Sequence, residues 1–161
     1  AEQGRPPNAL VGVGFAGFGA GASMTFTRTD ESFAPDWAWA FEGVPGTQFG
    51  AEGINTGPGN EFDRWDAGMP TPGQTTILAR SVPSTPDHFG VFEHGPARAP
   101  DPSLRADLAI TRTPAGGLVL AVSSITASGC LVVEGAHAGL RRVCSNVLER
   151  MLAGSDRAKS S

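Results

Sequence analysis

Read for periodicity, the chain is a succession of short apolar strands interrupted by two helical stretches. Leu10-Val11-Gly12-Val13-Gly14-Phe15 is a compact apolar run. It predicts a buried strand rather than a helix, because three glycines by Gly17 would each cost a helix ~1 kcal/mol. Met24-Thr25-Phe26-Thr27-Arg28-Thr29 alternates and is rich in threonine, which predicts a half-buried strand. Thr75–Arg80 and His88–His94 predict two more, separated by a proline-marked turn. Asp107–Thr113, the turn Pro114-Ala115-Gly116-Gly117 and Leu118–Val122 predict a hairpin. Its second strand is apolar on both faces, which predicts a place in the middle of a sheet covered on both sides.

The helical signals are fewer. Asp30 or Ser32 can cap a helix running to Phe41, with Pro35 near its first turn and Gly43 as its stop. Phe33, Trp37 and Phe41 then fall at i, i+4 and i+8, an aromatic stripe that reads as core packing. Leu140, Val143, Cys144, Val147, Leu148, Met151 and Leu152 recur with helical period up to Gly154, which is expected to end the last helix. Between them, residues 44–73 are rich in Gly, Pro and Asn with little periodicity, and an irregular stretch of ~30 residues in a compact domain is often functional.

These elements predict a mixed α/β fold: a β-rich sheet of about six strands and two helices. At 161 residues the chain has room for one domain. The expected organisation is a linker over residues 1–8, a single domain over 9–154 that forms the C-terminal part of a larger catalytic unit, and a disordered tail over 155–161. Two helices are too few to cover a sheet with a two-sided apolar strand. The missing cover is expected from the 44–73 segment or from another polypeptide. The chain begins without Met, which predicts either a removed residue or a piece of a longer product.

Composition narrows the function. A net charge of −4 provides no basic footprint, so nucleic acid and anionic membrane are not expected partners. No run approaches the ~18 apolar residues of a membrane span, and the expected location is cytoplasmic. Lys159 is the only lysine and tyrosine is absent, which excludes an internal Schiff-base lysine and any tyrosine acid, nucleophile or ligand from this chain. Cys130 and Cys144 lie without a C-x-x-C pattern and read as buried free thiols.

The candidate chemistry is concentrated in Glu61-Phe62-Asp63-Arg64-Trp65-Asp66, three carboxylates and an arginine within six residues. In an extended strand Glu61 and Asp63 share a face. They form either a pair for acid–base or cation work or an acceptor pair for a buried arginine. Arg64 inside the motif favours structural anchoring, with a bidentate contact from Arg64 to a carboxylate. His88 and His94 share a face, but six residues at ~3.3 Å each place them about 20 Å apart, too far to hold one ion. Glu93-His94 reads as an orienting pair or a surface histidine. His137 lies near Cys130 in sequence, but nothing in their spacing argues for a dyad. Gly12-Val13-Gly14-Phe15-Ala16-Gly17 matches G-x-G-x-x-G, yet the next element along the chain is a Thr-rich strand rather than a helix. The motif reads as a glycine-kinked strand or bulge.

Five strings in order carry a family resemblance: Gly4-Arg5-Pro6-Pro7-Asn8-Ala9-Leu10-Val11-Gly12-Val13-Gly14-Phe15; Phe41-Glu42-Gly43-Val44; Glu61–Asp66 with Thr71-Pro72; Arg105-Ala106-Asp107 leading to Pro114-Ala115-Gly116-Gly117; and Asn146-Val147-Leu148-Glu149-Arg150. They resemble the C-terminal part of the N,N-dimethylformamidase large (beta) subunit family. The resemblance implies an amide hydrolase that cleaves small N-alkylated formamides. It implies a glutamine-amidotransferase-like layer whose C-terminal portion lies here, and a mononuclear iron bound by tyrosine and glutamate in the region before this one. Trp65 stands where the family tends to have tyrosine, and the chain has neither Tyr nor a His-x-Glu string, so no iron ligand carries over. What is expected is a C-terminal subunit or fragment supplying scaffold and active-site wall, with Glu61, Asp63, Arg64, Asp66 and His94 near the site. No cofactor is expected on this chain. Its expected partners are a larger iron-carrying polypeptide and a small amide substrate. The rival reading is a non-catalytic β-rich module that holds a carbohydrate or peptide.

Overall fold

A computed structural model of the chain describes residues 6–18, 24–53, 56–81, 89–92, 95–100, 104–134 and 138–159, with the backbone alone at 89–92, 95–100 and 155–159. Among the described residues nine strands form two antiparallel sheets, so the mixed α/β class holds with more strands than expected. Strands β1 (Gly14–Phe18), β4 (Glu61–Arg64), β6 (Phe89–Phe92) and β7 (Gly95–Pro100) form the first, in the order β4-β1-β6-β7. Strands β2 (Phe26–Arg28), β3 (Gln48–Phe49), β5 (Gln74–Ser81), β8 (Ala106–Arg112) and β9 (Leu118–Ala121) form the second, in the order β3-β2-β5-β8-β9. Single-turn helices α1 (Asn8–Val11) and α2 (Ala127–Cys130) and the long helix α3 (Gly139–Lys159) complete the regular structure, with two 3-10 turns at Asp30–Phe33 and Ala38–Phe41.

The predicted hairpin is present, with Arg112 opposite Leu118 and Ala109 opposite Ala121. Its second strand, however, is not central. β9 lies at the edge of its sheet, and Leu118, Val119 and Leu120 are only half-buried. The strand buried on both faces is β8, whose residues Ala106–Thr111 are all inside. Ala106, Leu108 and Ile110 join the main core with Phe26, Leu140 and Val143, while Ala109 joins a small second core with Val13 and Ala121. α3 covers the first face, and α1 and β4 lie over the second. Cover that the sequence reading demanded for Leu118–Val122 is therefore supplied to β8 from within the chain.

Three further expectations change. The helix predicted from Asp30 or Ser32 to Phe41 is two 3-10 turns. Ala34, which precedes Pro35, is extended at ψ 148°, as a residue before proline tends to be. α3 runs through Gly154 to Lys159, so residues 155–159 of the expected tail have helical backbone. Leu10 and Val11 lie in α1 rather than in a strand. Among the described residues no helix is long and apolar enough to cross a membrane.

The glycine motif has a packing explanation. Gly12 ends α1 at φ 84°, and a Cβ there would lie 2.6 Å from the Thr111 hydroxyl. That hydroxyl sits 2.8 Å from its neighbour on Thr75 across the β5–β8 ladder. Register slips between Phe15 and Gly17, which is the expected bulge. Gly12→Ala therefore adds left-handed strain to a steric clash, and we expect a loss of about 2–3 kcal/mol in denaturant unfolding. A change within 0.5 kcal/mol would contradict this packing.

Candidate functional site

β4 places the acidic motif. It pairs with β1, Arg64 opposite Gly14 and Asp63 opposite Phe15. Phe62 is fully buried, so the period of two turns Glu61 and Asp63 together to the other face, as expected for an extended strand. Glu61 is exposed and Asp63 half-buried. Burial first, and the Glu61 charge second, hold the Asp63 carboxyl above the ordinary aspartate range. A raised native pKa favours the folded state only where the carboxyl is protonated. That contribution is fully present below about pH 4 and lost as pH rises through the native value. At pH 7 the desolvated Asp63 is a cost to the fold, so Asp63→Asn should raise the urea midpoint at pH 7 and lose that advantage near pH 3. An unchanged or lower midpoint at pH 7 would contradict it.

Arg64 lies 4.0 Å from Asp66, whose carboxylate also accepts the Gly68 N–H at 2.9 Å. Arg105 also reaches both oxygens of a carboxylate. Arg105 Nε donates to Asp107 Oδ1 at 3.0 Å and Oδ2 at 3.1 Å, and its Nη2 donates to the Trp65 carbonyl at 3.0 Å. Trp65 N–H donates to Asp107 Oδ2 at 3.0 Å, and Arg80 Nε to Oδ1 at 3.3 Å. Asp107 is completely buried. The acidic motif is thus pinned to the second sheet through the backbone of Trp65, with Asp63 N–H also donating to the Ser123 carbonyl at 3.0 Å. The sequence reading missed Asp107; its signal was a lone acid in the strand Ala106-Asp107-Leu108-Ala109-Ile110. His94, with His88, Glu93 and His137, lies outside the described residues.

Beside this cluster is a cleft of about 600 Å³, walled by Trp65, Arg80, the strand edge Thr75–Ile77 and the turn Asp30–Glu31.

The 44–73 segment is held by its polar contacts. Glu52 accepts the Leu140 N–H at 3.1 Å through its carboxylate, which caps α3, and the Cys130 thiol donates to its carbonyl at 2.6 Å. Ser124 Oγ donates to the Gly59 carbonyl at 2.5 Å, and Gly59 N–H donates to Thr126 Oγ1 at 2.9 Å. Burial pushes both thiols up to about 11; for Cys130 the negative charge of Glu52 and the neighbouring Cys144 add to this. At pH 8 they are almost wholly protonated. Thiol alkylation of the native chain should run on the order of 100-fold slower than in denaturant, where ordinary values near 8.5 return. Because the native values are raised, the thiols favour folding fully below pH ~8.5, and that contribution is lost as pH rises through about 11.

Among the described residues no three His, Cys, Asp or Glu side chains stand together as metal ligands. Of the described donors, Asp107 is filled by arginine and backbone donors, and the thiols hold their protons at neutral pH.

The comparisons with known proteins bear out the family resemblance. The family model described as N,N-dimethylformamidase beta subunit-like, C-terminal, matches residues 1–139. The N,N-dimethylformamidase beta subunit of Alcaligenes sp is 30% identical over 157 residues, covering 92% of this chain and 21% of that protein. The protein of the same name from Paracoccus aminophilus is 29% identical over 157 residues, with the same coverage. The chain spans about a fifth of the length of these curated relatives. It belongs to the N,N-dimethylformamidase beta subunit-like family, in the C-terminal part of that family's sequence.

Proposed function

We propose that this chain is the C-terminal portion of an iron-dependent amidohydrolase acting on small N-substituted formamides, occurring as a separate subunit or a cleaved fragment and catalytically incomplete alone. The carrying observation is family membership over residues 1–139, joined to relatives named N,N-dimethylformamidase beta subunit of which the chain covers about a fifth. In this reading the iron is held by a larger polypeptide, and the chain supplies scaffold and one wall of the active site. Glu61 and Asp63 share a face of β4 and present carboxylates to the partner, one of them already biased toward its protonated form. Arg64 and Asp66 belong to the same wall, and the Asp107 cluster fixes the strand that carries it.

Purification of the native assembly tests this. Mass spectrometry should find a larger co-purifying polypeptide, and that assembly should release formate from N,N-dimethylformamide. A monodisperse, cooperatively melting chain with no larger partner would overturn the subunit reading. An assembly that leaves small formamides intact would overturn the substrate reading.

A further inference from the structure

The polar groups around the 600 Å³ cleft divide into those the fold consumes and those it leaves over. Thr75 Oγ1 is paired with Thr111 and Thr29 Oγ1 donates to the Ile77 carbonyl at 2.6 Å. Arg28 is held by Ser32, with Nε on its hydroxyl at 3.0 Å and Nη2 on its carbonyl at 2.9 Å, and stacks on the rings of Phe33 and Phe41 at 3.8 and 4.1 Å. Thr76 stands opposite Ile110 and so turns its side chain to the other face of β5, and four groups remain without a side-chain partner among the described residues: the outer amino groups of Arg80, the Trp65 indole N–H, and the carboxylates of Asp30 and Glu31.

These four are ordered in space. Arg80 stands opposite both Thr27 and Asp107 in the ladder, so it lies on the sheet face that bears Asp107, and the backbone of Trp65 is bonded to that same carboxylate. Asp30 and Glu31 lie on the turn leaving β2, which runs along the β5 edge with Thr29 N–H on the Leu78 carbonyl at 3.0 Å. Donors therefore gather at one end and anionic acceptors at the other. The donor end also carries surplus charge. Arg80 and Arg105 bring two positive charges to one buried carboxylate, and Arg105 spends both its Nε and Nη2 within the cluster. Asp107 holds Arg80 by Nε and leaves the amino edge that grips a carboxylate facing outward. Its volume is that of a small-molecule site.

We propose that this cleft binds a small amino acid zwitterion, its carboxylate on Arg80 and the Trp65 indole N–H, and its ammonium between Asp30 and Glu31. A simple anion satisfies only one end and meets two carboxylates at the other, while a simple amine meets the arginine. Only a molecule carrying both charges complements the whole cleft.

Saturation-transfer NMR on the native chain-containing assembly tests this with glycine, β-alanine, 4-aminobutanoate and 6-aminohexanoate, against acetate and methylammonium. At least one of the four should bind tenfold or more tightly than either half-molecule, and the preferred length then reports the spacing of the two ends. Arg80→Gln, and separately Asp30→Asn with Glu31→Gln, should each weaken that binding at least tenfold. Binding of all four no tighter than acetate and methylammonium would overturn the proposal, as would zwitterion binding that survives Arg80→Gln. Should Arg80→Gln fail to assemble, the doubly substituted turn, exposed at both positions, decides: unchanged affinity there overturns the proposal.

Discussion

Replacing Asp107 by alanine should cost about 3–5 kcal/mol, because it leaves Arg105 and Arg80 without their shared carboxylate and strands the Trp65 N–H. At 2–4 °C per kcal/mol for a chain of this size, the thermal midpoint should fall by roughly 6–20 °C. Arg80 is 49% exposed on its side chain and keeps water, so most of the penalty belongs to Arg105, at 25%, and to the backbone donor. Two variants separate these parts. Asp107→Asn keeps an acceptor for the Trp65 N–H and should fall between wild type and alanine. Asp107→Ala with Arg105→Ala should cost less than the two single changes added together, because no uncompensated charge remains. Additive costs would show that the two side chains do not act as a pair.

The same cluster explains why the sequence pointed to the wrong strand as the sheet's centre. By hydrophobicity alone Leu118-Val119-Leu120-Ala121-Val122 outranks Ala106-Asp107-Leu108-Ala109-Ile110-Thr111. A strand's centrality is decided by its pairing partners, and a central acid is tolerated where its lone pairs are filled by two arginines and a backbone N–H. The acidic motif was legible to the extent that it obeys strand period: Glu61 and Asp63 on one face, Phe62 on the other. What joins that motif to the sheet was not legible, since the contact runs from Arg105 and Asp107 to the main chain of Trp65, and main-chain contacts leave no mark in the sequence. The 44–73 segment was hidden for the same reason. Its hold on α2 and α3 consists of single contacts from Glu52, Ser124 and Thr126, which have no period.

The strings that carry the family resemblance meet one another in space. Glu61–Asp66 pairs with the Gly14–Phe18 strand on one side and is clamped by Arg105-Ala106-Asp107 on the other. Asn146 on α3 donates to the carbonyls of Ala40 at 3.1 Å and Glu42 at 3.0 Å, tying the helix to Phe41-Glu42-Gly43-Val44.

The aromatic residues allow the sharpest contrast between the helical stripe expected from spacing and the two turns observed. Were Phe33, Trp37 and Phe41 one face of an α-helix, their truncations would cost similar amounts. In the structure Phe41 is 4% exposed and meets Phe49 edge-on at 5.7 Å, whereas Phe33 is 51% exposed and touches the Arg28 guanidinium. Phe41→Ala should therefore cost about 3–5 kcal/mol, the range for emptying a buried aromatic site. Phe33→Ala should cost under ~1 kcal/mol, the worth of an exposed cation–π contact. Arg28 retains Phe41 and Ser32 when Phe33 is removed, which keeps that loss small. Equilibrium urea unfolding of both variants, compared at equal m-value, measures the difference. Equal losses would restore the continuous helix, and with it a different wall for the cleft that Asp30 and Glu31 now line.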